Sequence, residues 1–181
     1  MGRNILFEKK DIVKAAFILL KQQTVDEFTI RNIANILNSS TSPIYYHFKS
    51  LEELMDAMIE EVMDLFLAPV KDKEDYYSYP NLTLAYALFS KNHRKLFESI
   101  FLYSSPKLGN PFREKMYREF RQLLTKDKKF DMVNGYVDLL FGDGLALKVY
   151  NSINKDTMEG EILDLLEKYI TLRRKLEEVI S

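Results

Sequence analysis

Between positions 41 and 49 the chain sets Thr41, Ser42, Tyr45, Tyr46, His47 and Lys49 close together. Hydroxyls and phenols hydrogen-bond to phosphate oxygens or to base edges, aromatic rings pack on thymine methyls, and an ammonium is a point charge for a phosphate. The same stretch carries Ile44 and Phe48. At a spacing of four they share one helical face, so burying them leaves Thr41, Ser42, Tyr46 and His47 turned outward, with Tyr45 at the boundary.

The elements that must hold this face are legible on both sides of it. Ile30, Ile33, Ala34 and Leu37 stand at i, i+3, i+4 and i+7, the apolar stripe of a short amphipathic helix. Thr29 is placed to cap it, and Asn38 follows its end, where a left-handed residue is tolerated. A tight connection of small hydroxyl residues leads into a second short helix, which starts between Ser40 and Pro43, since proline suits a first turn. Ser50-Leu51-Glu52-Glu53 then has the form of a capping box and opens a third helix, whose free N–H groups suit an anion. Two short helices joined by a three- or four-residue turn make a helix-turn-helix, whose second helix fits the major groove of DNA.

The run TIRNIANILNSSTSPIYYHFKSLEEL resembles the DNA-binding signature of the TetR family of bacterial transcription regulators, over roughly residues 8–66. The resemblance implies an all-α homodimeric repressor with an N-terminal DNA-binding domain and a C-terminal ligand-binding and dimerisation domain. By position it implies that Thr29 and Arg31 meet the DNA backbone, that Ser40, Thr41, Ser42, Pro43, Tyr45, Tyr46 and His47 line the recognition helix, and that Lys49 grips a phosphate. Two residues depart from the pattern: Asn38 stands at the turn glycine, and Ser42 at a glycine common within the recognition helix. The second departure bears on base preference.

Composition bounds the remainder. The 181 residues suit one large or two small domains, and 46% apolar with 13% aromatic residues indicates a folded chain. The absence of cysteine excludes disulfides, thiolate catalysis and cysteine metal sites. No apolar run approaches the roughly 20 residues of a membrane span, and Ala15–Leu20 is too short for a signal sequence, so a cytoplasmic location is expected. The net charge of −1 hides an asymmetry. Residues 1–50 carry seven Lys/Arg against four Asp/Glu, or +3, and the rest carry 19 against 23, or −4, which turns the basic end toward phosphate.

Enzymatic and metal chemistry find little support. Of two histidines, His47 lies on the recognition helix, and His93 at a helix start reads as a cap or surface residue. Gly142-Asp143-Gly144 sits in an apolar helical run with no strand before it and is no phosphate loop. Neither a cofactor nor a metal is expected.

In chain order, Met1–Phe7 reads as a loose arm from which Arg3 can reach a phosphate. Glu8–Gln23 is expected as a helix with Ile12, Ala15, Ala16, Leu19 and Leu20 inward, and Phe28 staples the approach to the next. The helix from Leu51 is expected to run to about Leu67 with Leu54, Met58, Val62 and Leu65 inward, stopped near Pro69. A division follows from this: 1–50 as the DNA-binding domain with 51–67 as the start of the connecting helix, and 68–181 as the regulatory and dimerisation domain. Val70–Pro80 reads as a loop, Asn81 as the cap of a helix through about Lys91, and Asn92 or His93 as the start of another through about Tyr103. Ser104–Pro111 is a loop and Phe112–Thr125 an amphipathic basic helix.

The last two helices raise the question of oligomerisation. Phe130–Asn151 is apolar nearly all round, with Gly135, Gly142 and Ala146 roughly on one side, where backbones can approach closely. In Thr157–Ile180, the residues Ile162, Leu165, Tyr169, Leu172 and Leu176 form a helix-pairing seam at three- and four-residue steps. A second copy of the chain is expected to cover both helices in a four-helix interface, with an intrachain bundle as the alternative. Phe89, Phe97, Phe101, Phe112, Met116, Tyr117 and Phe120 suit an apolar pocket, with Asp138 as its polar member, although core packing accounts for the same residues. The expected protein is a ligand-responsive dimeric regulator that binds a double-stranded operator and an unknown small-molecule effector. The alternative is a co-regulator of the same fold that acts through protein contacts.

Overall fold

The computed structural model describes residues 7–22, 25–105, 109–126, 132–152 and 159–180; of residues 132–140 and of Glu159, Arg173, Arg174, Leu176, Glu177, Val179 and Ile180 it describes the backbone alone. The elements are helical: α1 (Lys9–Gln22), α2 (Ile30–Ile36), α3 (Ser42–His47), α4 (Leu51–Leu67), α5 (Tyr79–Asn92), α6 (Arg94–Phe97), α7 (Pro111–Leu124), α8 (Met132–Asn151) and α9 (Glu159–Ile180). A 3₁₀ turn (Val25–Glu27) precedes α2, and a π-helical turn (Glu98–Leu102) continues α6. The all-α expectation holds, and most boundaries fall within two residues of those expected.

The chain forms two compact units, Met1–Met63 with Lys95–Tyr117, and Asp64–Arg94 with Arg118–Ser181. This differs from a division after Leu67, because Lys95–Tyr117 groups with the N-terminal helices. Contacts inside the first unit give the reason. Phe112 meets Phe28 edge to face at 4.9 Å, the Ser99 hydroxyl donates to the Leu20 carbonyl at 2.8 Å, and Lys115 pairs with Asp56 at 2.5 Å. Asn110 ties the π-turn to α7: its amide donates to the carbonyls of Ser99 and Ile100, and its oxygen accepts from the Arg113 N–H. The core of this unit includes Ile12, Leu19, Leu20, Ile33, Ile44, Phe48, Leu54 and Met58, all shut off from solvent.

In the second unit α5 is central. Ser78 is its N-cap, and Pro80 lies in its first turn. It therefore begins before the expected cap, Asn81, whose amide reaches back to the Asp75 carboxylate at 2.8 Å. Every residue from Leu82 to Ser90 is buried, and α5 packs along α8 and also meets α9. The inward face of α4 continues in four-residue steps, Leu54, Met58, Val62, to a buried Phe66. Leu65, expected inward, is exposed. Phe66 lies 4.5 Å from Phe120, 5.9 Å from Phe89 and 6.0 Å from Tyr86, ring centre to ring centre.

Candidate nucleic-acid interface and regulatory cavity

Local bonds shape the interface. Thr29 is extended (φ −131°, ψ 153°), and its hydroxyl accepts the Asn32 N–H at 3.2 Å, so the cap of α2 forms as expected. At the other end, the Ser39 N–H bonds to the Ala34 carbonyl at 3.0 Å and the Asn38 N–H to that of Asn35 at 3.1 Å, with Asn38 at φ +50°. This is a Schellman closure around a left-handed asparagine. Thr41 precedes α3; its carbonyl accepts the N–H groups of Ile44 and Tyr45, and Pro43 occupies the first turn. Ile44 and Phe48 are both fully buried and hold α3 down.

What remains outside is the polar face. Arg31, Ser40, Ser42 and Lys49 are exposed, as is Thr29, while Thr41 and Pro43 are half-buried. Tyr46 is 80% exposed, and Tyr45, expected at the boundary, is 54% exposed. Two phenols therefore project where one was expected. His47 departs from expectation in the other sense: it is half-buried, and its Nε2 lies 2.7 Å from the carbonyl oxygen of Phe7. Nothing in the residue spacing pointed to that partner, forty positions away.

At the start of α4, the Ser50 hydroxyl accepts the Glu53 N–H at 3.2 Å, and the Glu53 carboxylate accepts the Lys49 N–H at 2.7 Å. The reciprocal cap thus reaches one residue further back than a capping box and fixes the backbone of Lys49. Among the described residues no carboxylate pairs with the Lys49 ammonium. Lys10 is different: the Glu8 carboxylate, 2.6 Å away, raises its pKa from the ordinary value, first by hydrogen bonding and then by charge.

The residues expected to line a pocket are divided between the two units. Phe97, Phe101, Phe112, Met116 and Tyr117 belong to the first unit, Phe89 and Phe120 to the second, and the Asp138 side chain is outside the described residues. Phe97, Phe101, Phe112 and Met116 are buried core. A cavity does exist in the second unit, lined by Phe66, Tyr79, Leu82, Thr83, Tyr86, Phe120, Leu124 and Gly142, where a water's centre has about 30 Å³ to move in. Phe120 is the one expected pocket residue among them. Tyr79, Leu82, Thr83 and Tyr86 stand at i, i+3, i+4 and i+7 on α5, a signal that becomes legible once the helix starts at Tyr79. On the same helix pair, the Tyr86 hydroxyl donates to Asp143 at 2.8 Å. Among the described residues no cluster of three or more His, Asp or Glu could hold a metal, and no helix is long and apolar enough to cross a membrane.

The residues assigned from sequence to a dimer seam are also divided. A Cβ added at Gly142 would stand 3.8 Å from the Tyr86 ring, so its open side meets α5 of the same chain. Ala146 and Ile162 are fully buried in the same unit, Leu165 is half-buried, and Tyr169 packs on Phe141 at 4.5 Å. Intrachain cover therefore replaces the expected partner at Gly142, Ala146 and Ile162. Leu172 is half exposed, and Leu147 and Leu163 also reach solvent. The side chains at Gly135 and Leu176 fall outside the described residues.

A capped, tightly turned helix pair that presents a polar-aromatic second helix is a helix-turn-helix, and it stands near the start of an all-α chain. Residues 12–58 match the family described as bacterial regulatory proteins, tetR family. Among solved structures, the chain is similar to a TetR-like transcriptional regulator from Rhodococcus sp. RHA1, at 17% identity over 92% of this chain and 94% of that one, with a TM-score of 0.54. It is also similar to the dihydroxyacetone kinase operon activator DhaS, at 16% identity over 91% and 96% of the two chains, with a TM-score of 0.50. No curated protein matches the sequence significantly.

Proposed function

We propose that this chain is a ligand-responsive transcription regulator that binds a palindromic DNA operator as a homodimer and represses by occupying it. The observation that carries the reading is the face of α3: Tyr45 and Tyr46 project from a helix pinned by Ile44 and Phe48, with the exposed Lys49 just beyond its end. Phenols at base edges and an ammonium on phosphate divide the work between readout and grip. Thr29 and Arg31 at the start of α2 contact the backbone, and Ser40, Thr41, Ser42 and Pro43 approach the bases. The excess of basic residues in 1–50 supports the same orientation.

Dimerisation through the second unit is part of the proposal, with its surface revised. Exposed Leu147, Leu163 and Leu172 supply apolar area that a second copy covers, in place of Gly142, which faces Tyr86 of α5, and the buried Ala146. Half-sites then lie about 34–36 Å apart, or further if the scaffold sets a larger spacing. The effector site is the aromatic cavity between α4, α5, α7 and α8, which must open to admit more than a water or two. The protein works in the cytoplasm and is not an enzyme.

Selection of a duplex from a random pool by the purified protein tests the reading. A palindrome should emerge, with an affinity that falls steeply as salt rises. Lys49→Ala should weaken binding to every sequence and lower the salt slope by about 0.9, one phosphate contact. Recovery of no sequence, together with an unchanged slope for Lys49→Ala, overturns the proposal.

A further inference from the structure

The geometry points to His47 as a positioning residue for the Tyr46 phenol: its imidazole, tethered to the main chain of Phe7, is the surface that sets where Tyr46 meets a base. The inference rests on the DNA-binding reading above. A carbonyl oxygen can only accept, so the 2.7 Å contact to Phe7 requires the Nε2 of His47 to carry a proton and to donate it there. That N–H is committed within the protein and is not offered to a base or a phosphate. A second contact joins the same two stretches: the Lys9 ammonium lies 5.2 Å from the centre of the Phe48 ring. The His47 ring is therefore held from outside its own helix, by a residue forty positions away.

What the tether holds still is a platform. Tyr46 stands 80% exposed, and its ring meets the His47 ring edge to face, centres 5.0 Å apart and planes at 89°. An exposed tyrosine without such a neighbour spreads over several rotamers, and binding has to order it. Against a fixed imidazole it is ordered beforehand, which favours the base edge that its hydroxyl then reaches. Of the two projecting phenols, Tyr46 is the more exposed and is the one with this support. A His47 that served the fold alone would, when lost, weaken binding to every sequence alike. One that aims Tyr46 changes the preference at the position Tyr46 reads.

A substitution cycle tests this, with the duplex selected by the wild-type protein as probe and a fresh selection for each variant. Tyr46→Ala should weaken binding roughly three- to tenfold, the net worth of one hydrogen bond, and relax the preference at one position of each half-site. His47→Ala should weaken it roughly threefold, the worth of an edge-to-face ring pair, and relax the same position. The two changes together should cost no more than Tyr46→Ala alone. His47→Gln keeps a donor for the Phe7 carbonyl but has no ring for Tyr46. It should therefore restore the thermal midpoint lost in His47→Ala and leave the preference relaxed. A His47→Gln variant that regains the wild-type preference overturns the inference, because the tether alone would then account for His47. So does a His47→Ala effect that persists in full in the Tyr46→Ala background, which would make His47 a direct contact, and so does a His47→Ala selection that recovers the wild-type sequence. Each of these results leaves the proposed function standing; a wild-type protein that selects no duplex overturns both.

Discussion

α3 exposes half of what it carries and fully buries only Ile44, whereas α5 buries nearly everything. The six residues of α3 are held by Ile44 together with Phe48 just beyond its end, and its phenols stand in solvent. On α5, even Thr83 and Ser90 are buried, and the Ser90 hydroxyl satisfies itself on the Ala87 carbonyl at 2.8 Å. One helix is a display and the other a scaffold. The difference teaches that exposure of an aromatic residue carries information only when its neighbours show what holds the helix. Tyr46 at 80% exposure has no packing role that accounts for it, while Tyr86 at 6% is explained by its rings and its bond to Asp143.

The sharpest way to break this contrast is to remove the centre of the scaffold. Phe66 touches Tyr86, Phe89 and Phe120 and is 1% exposed. Phe66→Ala should cost about 3–5 kcal/mol, the lost transfer energy plus a cavity that three rigid rings cannot close. Urea unfolding monitored by circular dichroism measures it. A cost under about 1 kcal/mol would mean that the aromatic cluster collapses freely and is not a scaffold.

A smaller effect is expected at Gly142, where the two readings of α8 diverge. A methyl there has room, with its carbon 3.8 Å from the Tyr86 ring, so Gly142→Ala should be tolerated. Gly142→Leu adds three carbons more against the same ring and should destabilise by roughly 1–3 kcal/mol. Because the obstacle lies in the same chain, the shift in thermal midpoint should not depend on protein concentration. A loss that shrinks as concentration rises would return Gly142 to an interface between copies.

How legible these regions were in the sequence follows from how local their determinants are. Thr29, Asn38, Pro43 and Ser50 act on backbone groups within five residues, so the turn and both short helices could be placed from residue type and spacing. The sense of α8 was not local. Its small residues announce close approach but not by what, and the answer at Gly142, α5, is obscured because Pro80 suits the end of a loop as well as the first turn of a helix. Only with Tyr79 as the first helical residue do the cavity-lining positions of α5 fall on one face. The exposed seam at Leu172 and the buried Ile162 likewise share a periodicity that cannot say which neighbour covers each. His47 is the extreme case: its spacing placed it on the recognition face, and its bond to Phe7 depends on the tertiary fold.

The smallest expected change in stability, and the most informative, is at Tyr46. Its ring is 80% exposed and makes an edge contact with the neighbouring His47 ring, centres 5.0 Å apart. Tyr46→Ala should therefore leave the unfolding free energy within about 0.5 kcal/mol of the original, the range of surface substitutions that break no cap, core or network. Alanine is also the better helix former, by a few tenths of a kcal/mol, which offsets the lost edge contact. DNA binding should respond out of proportion to this. If the phenol meets a base edge, Tyr46→Ala lowers affinity for the selected duplex, changes which bases a fresh selection recovers, and leaves the salt slope alone, because no phosphate contact is lost. Lys49→Ala should do the reverse, lowering the slope and keeping the preference. A Tyr46→Ala protein as stable as the original, with the same affinity and the same recovered sequence, would remove the phenol from the interface and leave its exposure without a function.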